Sequence, residues 1–252
     1  MTITQTPART RGGAFTDAVR AESSKVWSLP ATWLTLAGTF ALNIVLSIAF
    51  TVNADLTASG VNVLDYGVVA LGWTQVGFFL LGVIAATSEY IGGQIRTTLT
   101  AVPDRVGQRL AASVALAPIV FIAGTITVVA GIATVLITSR TPFSALDIAL
   151  AVRLTLSAAG YLTLMAILSA AIGFLVRKAI PAASILLIYF LILSPLLQGQ
   201  RWYFLPDTAA YTLWYATVPA GAPPAIVGWA VVAAWTIALL IPSLIAAKRR
   251  DT

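Results

Sequence analysis

The sequence predicts an all-α integral membrane protein with six transmembrane helices, and three observations predict it. Only 10% of the 252 residues are charged and 59% are hydrophobic, whereas ordinary soluble domains carry roughly 25% charged residues. Six charge-free stretches exceed the roughly 20 helical residues needed to cross a hydrocarbon core about 30 Å thick. They are 26–54, 66–88, 110–139, 154–176, 179–200 and 208–247, together 167 residues. No long hydrophilic insertion and no fixed-period repeat interrupts this plan.

Taken in order, residues 1–13 read as a disordered tail rich in Thr, Arg and Gly. Residues 14–29 read as an amphipathic interfacial helix on the cytoplasmic surface, with Phe15, Ala18, Val19 and Val26 on one face and Asp17, Arg20, Ser24 and Lys25 away from it. Residues 30–248 form the six-span domain, with spans expected at about 31–52, 66–88, 110–137, 154–176, 179–198 and 225–247. Val52-Asn53-Ala54 has the small residues of a signal-peptide cleavage site, but the apolar run before it exceeds the 7–15 residues of such a peptide, so it reads as a retained span. The last charge-free run is too long for one crossing. Pro219, Pro223 and Pro224 break it, because proline lacks an amide donor and clashes with the preceding turn. The aromatic stretch at 202–218 then reads as one or two short helices lying at, or dipping slightly into, the outer surface.

Six spans put both ends of the chain on one side. Assigning that side as cytoplasmic places 12 of the 15 basic residues inside and leaves Arg140, Arg153 and Arg201 outside, as the positive-inside rule asks. Orientation thus accounts for the net charge of +6 and leaves no basic stripe for nucleic acid. The absence of His and Cys excludes thiolate nucleophiles, imidazole bases, disulfides and Cys/His metal sites. With no paired mid-span carboxylates either, an intramembrane enzyme is disfavoured. No ionisable residue lies mid-span, which argues against ion-coupled carriers and voltage sensors.

The longest polar cytoplasmic loop reads SEYIGGQIRTTLTAVPDRVGQR, residues 88–109. Glu89 closes the second span, two glycines follow, and Gln94 to Ala101 reads as a short amphipathic helix stopped by Pro103. Here Glu89, Tyr90, Gly93, Ile95, Arg96, Thr97, Thr98, Leu99, Pro103 and Arg105 resemble the permease subunits of ABC-2 type transporters, most of all the short actinobacterial ones. Members of that family often carry a basic or polar residue where Ile91 and Gly92 stand. The resemblance implies the permease half of an ATP-driven exporter in a bacterial plasma membrane, moving an amphipathic or hydrophobic compound such as a drug, peptide antibiotic, lipid or glycan by alternating access. It implies that Glu89, Tyr90, Gly93, Ile95, Arg96, Leu99, Pro103 and Arg105 form a coupling helix for a separately encoded ATPase, present in two copies with its own ATP and Mg. It also implies a second permease copy or paralogue. The chain itself holds no GxxxxGK[ST] phosphate loop, so no cofactor is expected on it and it is expected not to be an enzyme.

The same residues admit plainer accounts. Glu89 could be a helix-end carboxylate paired with Arg96 or Arg105, and the loop arginines could serve orientation alone. Asn43 and Gln75 lie at membrane depth, either as interhelical hydrogen-bonding groups or as pathway-lining ones. Ala166, Ser169, Ala170 and Gly173 form a small face suited to close helix contact. Pro118, Pro195 and Pro242 are expected to kink their helices. A membrane scaffold that transports nothing is the alternative function.

Overall fold

The computed structural model describes residues 11–54, 62–90, 104–141, 147–198, 203–218 and 220–249. These residues form helices α1 (Arg11–Ser28), α2 (Pro30–Val52), α3 (Val63–Val69), α4 (Leu71–Thr87), α5 (Arg105–Ser139), α6 (Ile148–Val176), α7 (Ala179–Ile188), α8 (Ser194–Gln198), α9 (Pro206–Trp214) and α10 (Ala225–Arg249). A 3-10 turn, Ser88–Tyr90, extends α4, and a π-helical turn, Tyr189–Leu193, joins α7 to α8. Six helical segments are long and apolar enough to cross a membrane: Pro30–Val52, Val63–Tyr90, Arg105–Ser139, Ile148–Val176, Ala179–Leu197 and Ala225–Lys248. The chain is therefore a multi-pass membrane protein, all-helical among the described residues.

Spans three and four begin earlier than the charge-free runs suggest. Asp104 accepts from the Gly107 amide at 2.9 Å and Asp147 from the Leu150 amide at 2.9 Å, so each aspartate starts its helix as an N-cap. The helix then runs through Arg105 and Arg109, or through Arg153, before its apolar stretch begins. At the other ends, Arg140 and Arg177 stop α5 and α6 in the left-handed region, at φ 55° and 61°. Pro195 cannot donate to the carbonyl of Leu191, and the wide turn at Tyr189–Leu193 accommodates its ring.

The centre of the bundle is the seam between α4 and α6, and α6 also packs on α5 and α10. Small residues permit the approach. A Cβ on Gly82 would lie 2.2 Å from the Ala166 carbonyl oxygen, and one on Gly173 would lie 2.9 Å from Ala86 Cβ. The predicted small face of span four is this contact surface. Tyr161, Leu162, Met165 and Ala166 of α6 have no exposed surface, and Phe78, Phe79 and Leu81 of α4 almost none.

Two elements depart from expectation. Helix α1 packs mainly along α5, with Glu22 and Val26 buried while Phe15 and Trp27 face outward. Lys25, expected on the outward polar face, turns toward the bundle. An ion pair, described below, draws it there. Helix α9 is a single helix, buried against α10 and α6 more fully than a helix lying at the outer surface. Trp214 meets Tyr161, midway along α6, edge to face at 4.5 Å between centroids. A short helix at that depth must find its partners in protein. Asp207 accepts from the Tyr189 and Ser194 hydroxyls, and Asp65 accepts from the backbone amides of Ala216 at 2.5 Å and Thr217 at 3.0 Å.

Glycine substitutions separate seam from periphery. Gly82→Leu must push α4 off α6 and is expected to cost about 3 kcal/mol or more, lowering the thermal midpoint of detergent-purified protein. Gly38→Ala, whose Cβ meets nothing within 4 Å, is expected to leave that midpoint unchanged or slightly raised.

Candidate functional site

A cluster of buried polar side chains lies at the end where α1, the close of span two and the start of span three meet. Glu89, in the 3-10 turn after α4, is buried, and its Oε1 accepts from Lys25 Nζ at 2.8 Å and from Gln108 Nε2 at 2.6 Å. Lys25 Nζ also donates to Glu22 Oε2 at 2.7 Å. One ammonium thus bridges two carboxylates from α1 and span two, and an amide from span three completes the cluster. Removing a carboxylate from water is costly unless it is paired and hydrogen-bonded, which fixes how α1 must sit.

A second layer lies beneath. Arg109 is buried, its Nη1 donates to the Ser243 carbonyl of α10, and its guanidinium stands 5.3 Å from the Phe174 ring centroid of α6. The Arg177 guanidinium stands 5.8 Å from the Tyr90 ring centroid, within cation–π range. Through these contacts the turn after span two is joined to α1 and to spans three and four, and span three is joined to span six.

Among the sequence-predicted coupling residues, Glu89 and Tyr90 lie in this cluster and Arg105 opens α5 beside it. Gly93, Ile95, Arg96, Leu99 and Pro103 lie outside the described residues. Sequence reasoning paired Glu89 with Arg96 or Arg105 and missed Lys25, Glu22 and Gln108. The available signal was the Glu22/Lys25 spacing of three on a helix, but nothing local shows that a residue 64 positions away supplies the cation.

Asn43 and Gln75 are both buried. Asn43 Nδ2 donates to the Thr127 carbonyl at 3.1 Å and its Oδ1 accepts from Thr74 Oγ1 at 3.2 Å, binding α2 to α5 and α4. Gln75 Oε1 accepts from the Tyr161 hydroxyl at 2.8 Å while Nε2 donates to the Gly72 carbonyl at 2.9 Å. Each amide thus links helices across the interior. Among the described residues no three carboxylates gather in the way a metal ion requires.

Comparison with known proteins finds no match to any protein-family model, curated protein or solved structure.

Burial pushes the Glu22 carboxyl above its ordinary value of 4.5, Lys25 pulls it back by charge and hydrogen bond, and the neighbouring Glu89 charge adds to the rise. A raised carboxyl favours the fold while protonated, and that contribution is lost as pH climbs through the folded-state value. Glu22→Gln is therefore expected to raise the thermal midpoint at pH 7 by a few degrees. The gain should vanish below about pH 4.5, where Glu22 is protonated in both states. Lys25→Met leaves two buried carboxylates facing each other and is expected to destabilise by about 3 kcal/mol at pH 7. Melting curves of the purified variants at both pH values check these outcomes.

Proposed function

We propose that this chain is the permease subunit of an ATP-driven ABC-2 type transporter, an exporter of an amphipathic or hydrophobic compound in a bacterial plasma membrane. Both ends of the chain are cytoplasmic in this reading, because 12 of 15 basic residues then face inward. A separately encoded ATPase, in two copies, supplies the energy, and two permease copies enclose the path.

The observation that carries the reading is the Glu89 cluster. The stretch 91–103 is the longest polar connection on that side. Glu89 stands just before it and Gln108 one turn after it, and Glu89 accepts from both Gln108 and Lys25 of α1. A partner pressing on this stretch acts on three helices at once. Such a clamp suits a part that receives mechanical work. It has no equivalent need in a static scaffold, where a flexible loop serves as well.

Alternating access follows if the partner's closure tilts the end of span two together with α1. The close contact of α4 with α6 makes that tilt a rigid-body motion, since interdigitated small residues leave little room for bending. The mid-span amides Asn43 and Gln75 are paired within the bundle and carry no charge, so the cargo is expected to be apolar or amphipathic.

Arg96→Glu and Glu89→Gln are expected to reach the membrane at ordinary levels and to lower transport by about tenfold or more, with the co-purifying ATPase no longer responding to cargo. Purification from the native membrane is expected to bring down a phosphate-loop ATPase. Normal transport by both variants contradicts the coupling role. A chain that purifies intact with no ATPase contradicts the permease reading and favours a scaffold.

A further inference from the structure

A cavity of about 330 Å³ opens between the first turns of span two and the last turns of span five, closed on one side by α9. Its volume is at the lower end of small-molecule sites. Val69, Gly72 and Trp73 line it from span two, Phe190, Leu191 and Pro195 from span five, and Tyr211 and Tyr215 from the α9 segment. Four of these eight are aromatic. The Tyr211 and Tyr215 rings stack at 5.2 Å with 12° between planes, and Trp73 remains 58% exposed. Ring faces of this kind attract cations and accept apolar bodies.

Among the described residues, the charge around the cavity has one sign. Asp207 lies one helical turn before Tyr211 and is buried, and its partners are the neutral hydroxyls of Tyr189 and Ser194. Asp65, in the first turn of α3, accepts from the amides just after Tyr215. Neither carboxylate is in an ion pair among the described residues. The described cations at this end of the bundle, Arg140 and Arg153, are exposed and do not line the cavity. Hydroxyls and amides orient around a carboxylate without cancelling its charge, and in a poorly screened interior that charge acts over several ångströms. Burial and then the Asp207 charge push the Tyr211 hydroxyl above its ordinary value, and burial, Tyr211 and Asp65 do the same to Tyr215. Burial also raises the Asp207 carboxyl against the bonds it accepts, so a nearby cation stabilises its charged form in turn.

We infer that this cavity binds a hydrophobic organic cation, its charged centre over the Tyr211 and Tyr215 rings between Asp207 and Asp65, and its apolar groups against Trp73, Phe190 and Leu191. An anion of the same shape is repelled by the two carboxylates. A lipid chain gains the apolar contacts but is indifferent to them. The inference deepens the permease reading by naming a cargo class, yet it concerns binding to this chain alone and can fail or stand without the ATPase.

Tetraphenylphosphonium and tetraphenylborate provide the test, being close in shape and opposite in permanent charge. Binding of each to the purified full-length chain in nanodiscs is measured by equilibrium dialysis. Saturable phosphonium binding is expected, at least about tenfold tighter than borate binding. Asp207→Asn is expected to weaken phosphonium binding about tenfold and to narrow the difference between the two ions. Because Asp207 is buried, a second variant guards against loss of fold. A Cβ on Gly72 meets nothing within 4 Å, so Gly72→Leu fills the cavity without displacing backbone. It is expected to abolish saturable phosphonium binding while keeping the melting temperature. Equal binding of the two ions, unchanged phosphonium binding in Gly72→Leu, or no saturable phosphonium binding by the unmodified chain overturns the inference. Loss of the ATPase from a preparation that still binds phosphonium overturns the permease reading instead.

Discussion

A polar group inside a bilayer finds no water to bond with, and the rest of this structure depends on that constraint. It makes the spans helical, since a helix satisfies its own backbone. It sends the amides of Asn43 and Gln75 across the interior to Thr127, Thr74 and Tyr161. It also dictates how the short helix α9 lies at membrane depth, with Asp207 supplied by two hydroxyls and Asp65 taking up the amides that follow the helix. At the end holding α1, the same constraint brings Lys25 to Glu89, because a carboxylate buried at the close of span two needs a cation more than α1 needs an outward-facing lysine.

These requirements give the molecule a stiff middle and two polar ends. The α4–α6 seam, where Gly82 meets the Ala166 carbonyl, holds spans two and four at backbone contact. One end carries the carboxylate cluster around the stretch 91–103, and the other carries the aromatic cavity under α9. Span two runs from one to the other, with Asp65, Gly72 and Trp73 near its start and Glu89 at its close. In the proposed permease, span two would join the place where work is received to the place where the ligand is held.

The sequence made the six spans legible because lipid imposes its demand on composition directly: charge vanishes for 20 or more residues wherever a helix crosses. Its small face in span four was legible for a related reason, since only small side chains allow backbone contact. The helix starts at Asp104 and Asp147 were misjudged because a charge-free run ends at the first charge, whereas a capped helix continues through Arg105 or Arg153. Helix α9 reads as lying at, or dipping slightly into, the outer surface because aromatic clusters commonly mark interfaces, and how fully it is buried depends on partners in α6 and α10 that are remote in sequence. The site was half visible. Glu89 stood out as the acid closing a span, but its cation comes from α1, and pairing across 64 residues leaves no local periodicity to read.

The most direct measurement of the central claim exchanges the two charges of the cluster. Lys25→Glu and Glu89→Lys, made singly and together in full-length protein, are compared for thermal stability and for cargo-stimulated activity of the co-purifying ATPase. The account predicts that each single reversal lowers both and that the double reversal recovers much of both, with a coupling energy on the order of 1–3 kcal/mol in the stability cycle. Additive losses in the double variant, or single reversals that leave both properties intact, would contradict it.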